Sequence, residues 1–187
     1  LIEFWQSLGL IAVAEMGDKS QLVALAFATR YRPIVVLLGV SIATLTVHLG
    51  SVFLGRAIDS VLPDDAITAA AGLAFIAFGA WTLRGDSLGD DDPTTKLSRW
   101  GPLLTVTVTF FIAELGDKTM LATVTLAAGG ASLIGVWLGS TVGMVLADAV
   151  AIVVGMAMGK RIPARTVKLG AAGIFLVTGL VTLATLL

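Results

Sequence analysis

The chain has 187 residues, of which 57% are apolar and 13% charged, with a net charge of -1; ordinary soluble domains carry roughly 25% charged residues. A soluble surface needs far more Lys, Arg, Asp and Glu than this, so the apolar excess must face lipid. Near-zero net charge without Lys/Arg-rich runs excludes nucleic acid as a partner, and the absence of Cys excludes disulfides, thiolate metal sites and cysteine nucleophiles.

Apolar stretches of about 20 residues, the length that crosses a bilayer core, can be placed six times. The first, residues 3–28, carries Glu15, Asp18 and Lys19 in its middle and has no basic flank, so it reads as a lasting span rather than a cleaved leader. Tyr31-Arg32-Pro33 punctuates the chain before the second span, 33–57, which contains His48. Leu62-Pro63-Asp64-Asp65 precedes the third, 66–84. A polar linker over 86–99, with Asp90, Asp91 and Asp92, then divides the chain near its middle. The fourth span, 101–128, holds Glu114, Asp117 and Lys118, and Pro102, like Pro33, suits a first helical turn. Gly129-Gly130 leads to the fifth, 132–158, which holds Asp148, and Arg161-Ile162-Pro163 to the sixth, 166–187. Trp5, Trp81, Trp100 and Trp137 lie near span ends and read as interfacial anchors.

The first span repeats in the fourth. Ala14-Glu15-Met16-Gly17-Asp18-Lys19-Ser20-Gln21-Leu22 returns as Ala113-Glu114-Leu115-Gly116-Asp117-Lys118-Thr119-Met120-Leu121. With a one-residue gap, Gly39, His48 and Gly55 align with Gly139, Asp148 and Gly155. Three spans per half make the second half enter the membrane from the opposite side. The expected fold is therefore an all-α integral membrane protein of six transmembrane helices, built as two inverted three-helix repeats over 1–85 and 100–187. Arg30, Arg32, Arg84, Lys96, Arg99, Lys160, Arg161, Arg165 and Lys168 flank one side and only Arg56 the other, so the linker is expected in the cytoplasm and both termini outside. Inverted repeats with polar residues at mid-membrane are a signature of secondary transporters. Membrane lipid is the expected surrounding, and a homodimer is left open.

Ionisable residues inside a span cost roughly 2.5 to 3.5 kcal/mol each on insertion scales. Glu15, Asp18, Glu114, Asp117 and Asp148 must therefore face protein or water. Four carboxylates and two lysines leave a charge near -2, which a divalent cation would neutralise, and oxygen ligands suit Mn²⁺, Ca²⁺ or Mg²⁺ better than copper or zinc. Crowded carboxylates also bind protons in competition with metal, which supplies coupling without a separate device. The cation is substrate, and no cofactor is expected.

On an unbroken helix, Gly17 and Gly116 form a small-residue face for close packing. The alternative is unwinding there, with carbonyls and the Ser20 and Thr119 hydroxyls offered as ligands; close packing is the expectation. Glu15 with Lys19, and Glu114 with Lys118, are spaced for salt bridges along one helix; the alternative is that the lysines hold an empty site together and are displaced when metal enters. Gln21 and Met120 occupy matching places, where the Met120 sulfur is weighed as a softer metal contact against plain packing. His48 is read as bonding a carbonyl across helices, with a proton path through His48 and Asp148 as the sharper alternative. Other readings are an exporter of small cationic solutes similar to the lysine exporters, and a non-transporting scaffold whose buried ion pairs fix helix register. No nucleophile or cofactor motif points to an enzyme.

The doubled hexapeptide, Glu15 to Ser20 and Glu114 to Thr119, strongly resembles that of the Gdt-one-type cation/proton exchangers, which carry Glu-x-Gly-Asp-Lys/Arg-Ser/Thr once per half. The resemblance implies Mn²⁺ or Ca²⁺ transport against protons, with Glu15, Asp18, Ser20, Glu114, Asp117 and Thr119 as the metal path. Bacterial members of that family are manganese exporters, and the short linker and lack of an organelle leader look bacterial, so a bacterial plasma membrane is the expected location; the resemblance assigns no role to His48 or Asp148.

Overall fold

The computed structural model describes residues 1–84, 101–158 and 164–186, and the regular structure there is helical throughout. The helices are α1 (Ile2–Glu15), α2 (Lys19–Ala28), α3 (Pro33–Asp59), α4 (Asp64–Arg84), α5 (Pro102–Glu114), α6 (Lys118–Ala128), α7 (Leu133–Met158) and α8 (Ala164–Ala184). Pro33 and Pro102 open α3 and α5, where the missing N–H removes no helical hydrogen bond. The linker over 86–99, Trp100 and the Arg161-Ile162-Pro163 breaker lie outside the described residues.

Pro33–Asp59, Asp64–Leu83 and Leu133–Val154 are long and apolar enough to cross a bilayer, while Pro102–Glu114 and Ala172–Ala184 are apolar but shorter. The expected continuous spans over 3–28 and 101–128 are each two helices, broken after Glu15 and Glu114. At the breaks Gly17 and Gly116 have φ of +76° and +81°, a left-handed conformation that a Cβ makes costly. Their neighbours Met16, Asp18, Leu115 and Asp117 are extended. This corrects the close-packing expectation. A Cβ on Gly116 would meet no atom within 4 Å, so the glycine serves the turn and not a helix contact.

Packing runs mainly between the halves. α1 lies along α7, α2 also meets α7, α3 lies along α5 and α6, and α4 pairs with α8. Glycines permit the approach: a Cβ on Gly39 would stand 2.7 Å from Val106 Cγ1 of α5, and one on the equivalent Gly139 would overlap the Phe4 carbonyl of α1. In lipid, where apolar burial gives helices little reason to associate, such close backbone contact is a main source of cohesion. α3 and α7 cross in opposite directions. Val36 shares an apolar cluster with Ile152 and Val52 shares another with Val136, while midway between them the Thr44 hydroxyl donates to Met144 Sδ at 3.4 Å. The Trp137 indole N–H donates to the Leu45 carbonyl at 2.9 Å, so this residue ties α7 to α3. Trp5 and Trp81 are exposed.

Candidate metal centre

Each helix break sets an acid on either side of a glycine. Glu15 and Glu114 close α1 and α5, and Asp18 and Asp117 occupy the N-cap positions of α2 and α6. Helix ends leave carbonyls free on one side of the break and amides on the other, so the turn carries partial charges of both signs. It is stitched by Asp18 N–H to the Glu15 carbonyl at 3.1 Å and by Asp117 N–H to the Glu114 carbonyl at 3.2 Å. The glycine amides find matching acceptors: Gly17 N–H donates to Gln21 Oε1 at 2.8 Å, and Gly116 N–H to Met120 Sδ at 3.1 Å. Gln21 and Met120 are therefore braces of the two turns. Gln21 also donates through Nε2 to the Ala147 carbonyl of α7 at 3.1 Å, which a thioether cannot do.

The breaks converge. Carboxylate oxygens of Glu15, Asp18 and Asp117 lie within 4.8 Å of one another, and all three residues are buried. Glu114 stands outside this triad but within electrostatic reach of Glu15 and Asp18, and Asp148 of α7 lies within reach of Glu15, Asp18 and Glu114. Hydroxyls orient the glutamates: Ser20 Oγ donates to Glu15 Oε1, and Thr119 Oγ1 to Glu114 Oε2 at 3.0 Å, with Asp117 Oδ2 at 3.4 Å. Lys118 does not pair with Glu114 one turn back, as its spacing predicts. Its Nζ forms an ion pair with Asp18 Oδ2 of the other half at 2.9 Å, because the break removes the shared helical face. The Lys19 side chain lies outside what the structure describes.

The second oxygen of Glu15 and both oxygens of Asp148 are buried with no hydrogen-bond partner among the described residues. A buried carboxylate oxygen without a donor is costly until a cation or proton reaches it. Several such oxygens at this spacing suit a hard divalent cation.

His48 is fully buried in α3, and neither ring nitrogen has a partner among the described residues. The expected carbonyl bond is absent there, and so is a bond to Asp148. Geometry explains the second point. With α3 and α7 crossing at Thr44 and Met144, residues one turn further along each helix move apart, each by about 6 Å at a rise of about 1.5 Å per residue.

Sequence reasoning overlooked the buried hydroxyls of Thr44 and Ser51 on α3 and of Ser140 and Thr141 on α7. The signal was available: Thr44, His48 and Ser51 follow the four- and three-residue steps of one helix face, as do Ser140, Met144 and Asp148 at four-residue steps.

The family profile described as "Divalent cation/proton antiporter GDT1" matches residues 3–90 and 102–186. A Vibrio cholerae protein named "Putative manganese exporter" is 34% identical over 94% of this chain and 88% of its own length. A GDT1-like protein of Synechocystis is 30% identical over 90% of each chain. A chloroplastic GDT1-like protein of rice is 27% identical over 93% of this chain and 59% of its own length. No solved structure matches the chain. Apolar helices interrupted at buried acidic turns, with these relatives, define an integral membrane transporter and not an enzyme. The chain belongs to the divalent cation/proton antiporter family GDT1.

Proposed function

We propose that the protein exports a divalent cation, Mn²⁺ first and Ca²⁺ second, in exchange for protons by alternating access. The observation that carries this is the buried triad of Glu15, Asp18 and Asp117, drawn from both halves at two helix breaks. Glu114, Ser20 and Thr119 complete the ligand set, and the unpartnered oxygens of Asp148 offer a route for protons. Residues 1–85 and 100–187 act as two inverted three-helix repeats that rock about the α3–α7 crossing. Each broken pair, α1 with α2 and α5 with α6, counts as one crossing, giving six. The chain lies in the bacterial plasma membrane with the 86–99 linker in the cytoplasm and both termini outside.

The direction follows from charge. At an interior-negative potential of ~150 mV, moving two positive charges outward costs roughly 7 kcal/mol, and two or more protons entering cancel it. The relative named for manganese export supports Mn²⁺ as cargo. In proteoliposomes, an imposed proton gradient is expected to drive Mn²⁺ flux that Glu15→Gln and Glu114→Gln each abolish. Full proton-driven flux in either variant sinks the ligand assignment, and uphill Mn²⁺ efflux without a proton gradient sinks the exchange. Competition by lysine instead of Mn²⁺ would favour the cationic-solute reading.

A further inference from the structure

The ammonium of Lys118 already stands where a cation is wanted. It lies 2.9 Å from Asp18 Oδ2, with the two side chains 5% and 4% exposed. The carboxylates acting on it are Asp18, Glu15 and Asp117, the same three whose oxygens lie within 4.8 Å of one another. One positive charge of the second half thus sits against an acidic cluster drawn from both. Two cations cannot share so small a buried space without strong repulsion. A lysine has a flexible four-carbon stem, so its head group can leave while the backbone stays in place.

We propose that Lys118 is a tethered competitor for the cation site, seated on Asp18 when the site is unloaded and expelled when a divalent ion enters, and that it thereby selects against monovalent cations. The inference rests on reading the triad as metal ligands. Na⁺ or K⁺ replacing the ammonium swaps one unit charge for another, while the ion gives up its hydration and a close buried ion pair is broken. A divalent ion doubles the attraction to the same oxygens. Because Lys118 and Asp18 belong to different halves, expulsion also unfastens a tie between them, so loading and loosening are one event.

The test is equilibrium Mn²⁺ binding to the purified full chain in detergent, read by the spin resonance of free Mn²⁺, in N-methylglucamine and in Na⁺ at equal ionic strength. The parent is expected to bind Mn²⁺ with little effect of Na⁺. Lys118→Met is expected to lower the Mn²⁺ dissociation constant by about tenfold or more, a like charge at ion-pair range having been removed, and to make binding sensitive to Na⁺. Lys118→Arg, which keeps the charge, is expected to stay near the parent. Should Lys118→Met melt early for want of its buried partner, Mn²⁺ is expected to raise its melting temperature more than it raises the parent's; a merely structural lysine gives no such gain. A Met variant that binds Mn²⁺ no tighter, stays indifferent to Na⁺, or gains no extra metal-induced stability overturns the role of Lys118. A parent that binds no Mn²⁺ removes the metal-site reading itself, and this inference with it.

Discussion

Thr44 and Met144 hold equivalent places in the two halves and touch each other, hydroxyl to sulfur at 3.4 Å. α3 and α7 therefore meet at this contact, and in the proposed exchange cycle their crossing is the pivot. In that proposed cycle, rocking of one half on the other moves this point least. The chain has no Cys, so Thr44→Cys with Met144→Cys introduces the only thiols. A short bifunctional thiosulfonate is expected to link them equally with Mn²⁺ present or absent. Linking that depends strongly on Mn²⁺ would place the pivot elsewhere.

Gly116 adopts φ +81° with open space where a Cβ would go, so Gly116→Ala probes backbone strain alone. It is expected to destabilise the protein by about 1–2 kcal/mol, the cost of the left-handed conformation for an L-residue. Mn²⁺ binding should weaken with it, since the turn sets Glu114 against Asp117. Gly116→Asn, a residue that tolerates this conformation, is expected to recover part of both. Thermal melting and Mn²⁺ titration in detergent check the order.

At Gly139 and Gly143 the constraint is space. A Cβ on Gly143 would stand 2.5 Å from the Leu8 carbonyl, and one on Gly139 would overlap that of Phe4. Either Ala substitution forces α7 off α1 and is expected to cost about 1–3 kcal/mol, as overpacking does. Gly9 and Gly50 have nothing within 4 Å of a built Cβ, and their Ala variants are expected to hold or gain about 0.5–1 kcal/mol as helix-interior Gly→Ala changes. Melting temperatures falling for Gly9→Ala as much as for Gly139→Ala would contradict the helix contact.

Gln21 and Met120 accept the glycine amides of the two turns, and Gln21 also donates to the Ala147 carbonyl of α7. Met120→Gln is expected to preserve melting temperature and transport, an amide oxygen taking the Gly116 N–H as it does at Gly17. Gln21→Met keeps that contact but loses the bond to Ala147, a loss of about 0.5–1.5 kcal/mol. If Met120→Gln instead shifts the preference between Mn²⁺ and Ca²⁺, its sulfur touches the metal.

The acids of the centre were legible because each is expensive in an apolar segment and recurs at matched positions. Their partners were not. Hydropathy averages over a window and does not register a turn of two or three residues, so nothing in it decided between a small-residue face and an unwound turn at Gly17 and Gly116. With the helices taken as unbroken, spacing assigned Lys118 to Glu114, whereas the turn delivers it to Asp18. His48 and Asp148 occupy aligned places in the sequence, but α3 and α7 run in opposite directions from the Thr44–Met144 contact, which carries the two residues apart. The hydroxyls on α3 and α7 went unread because Ser and Thr cost little in an apolar run and leave no trace in hydropathy.

The interlocking of the halves bears on biogenesis. α1 is completed by α7, and α3 by α5 and α6, so when the ribosome has finished α1 to α4 their proper neighbours have yet to be translated. During that interval Glu15 and Asp18 have neither Lys118 nor Asp117 beside them and must be sheltered by water or by the insertion machinery. A product truncated at the central linker keeps those acids without shelter, and membrane proteolysis is its expected fate.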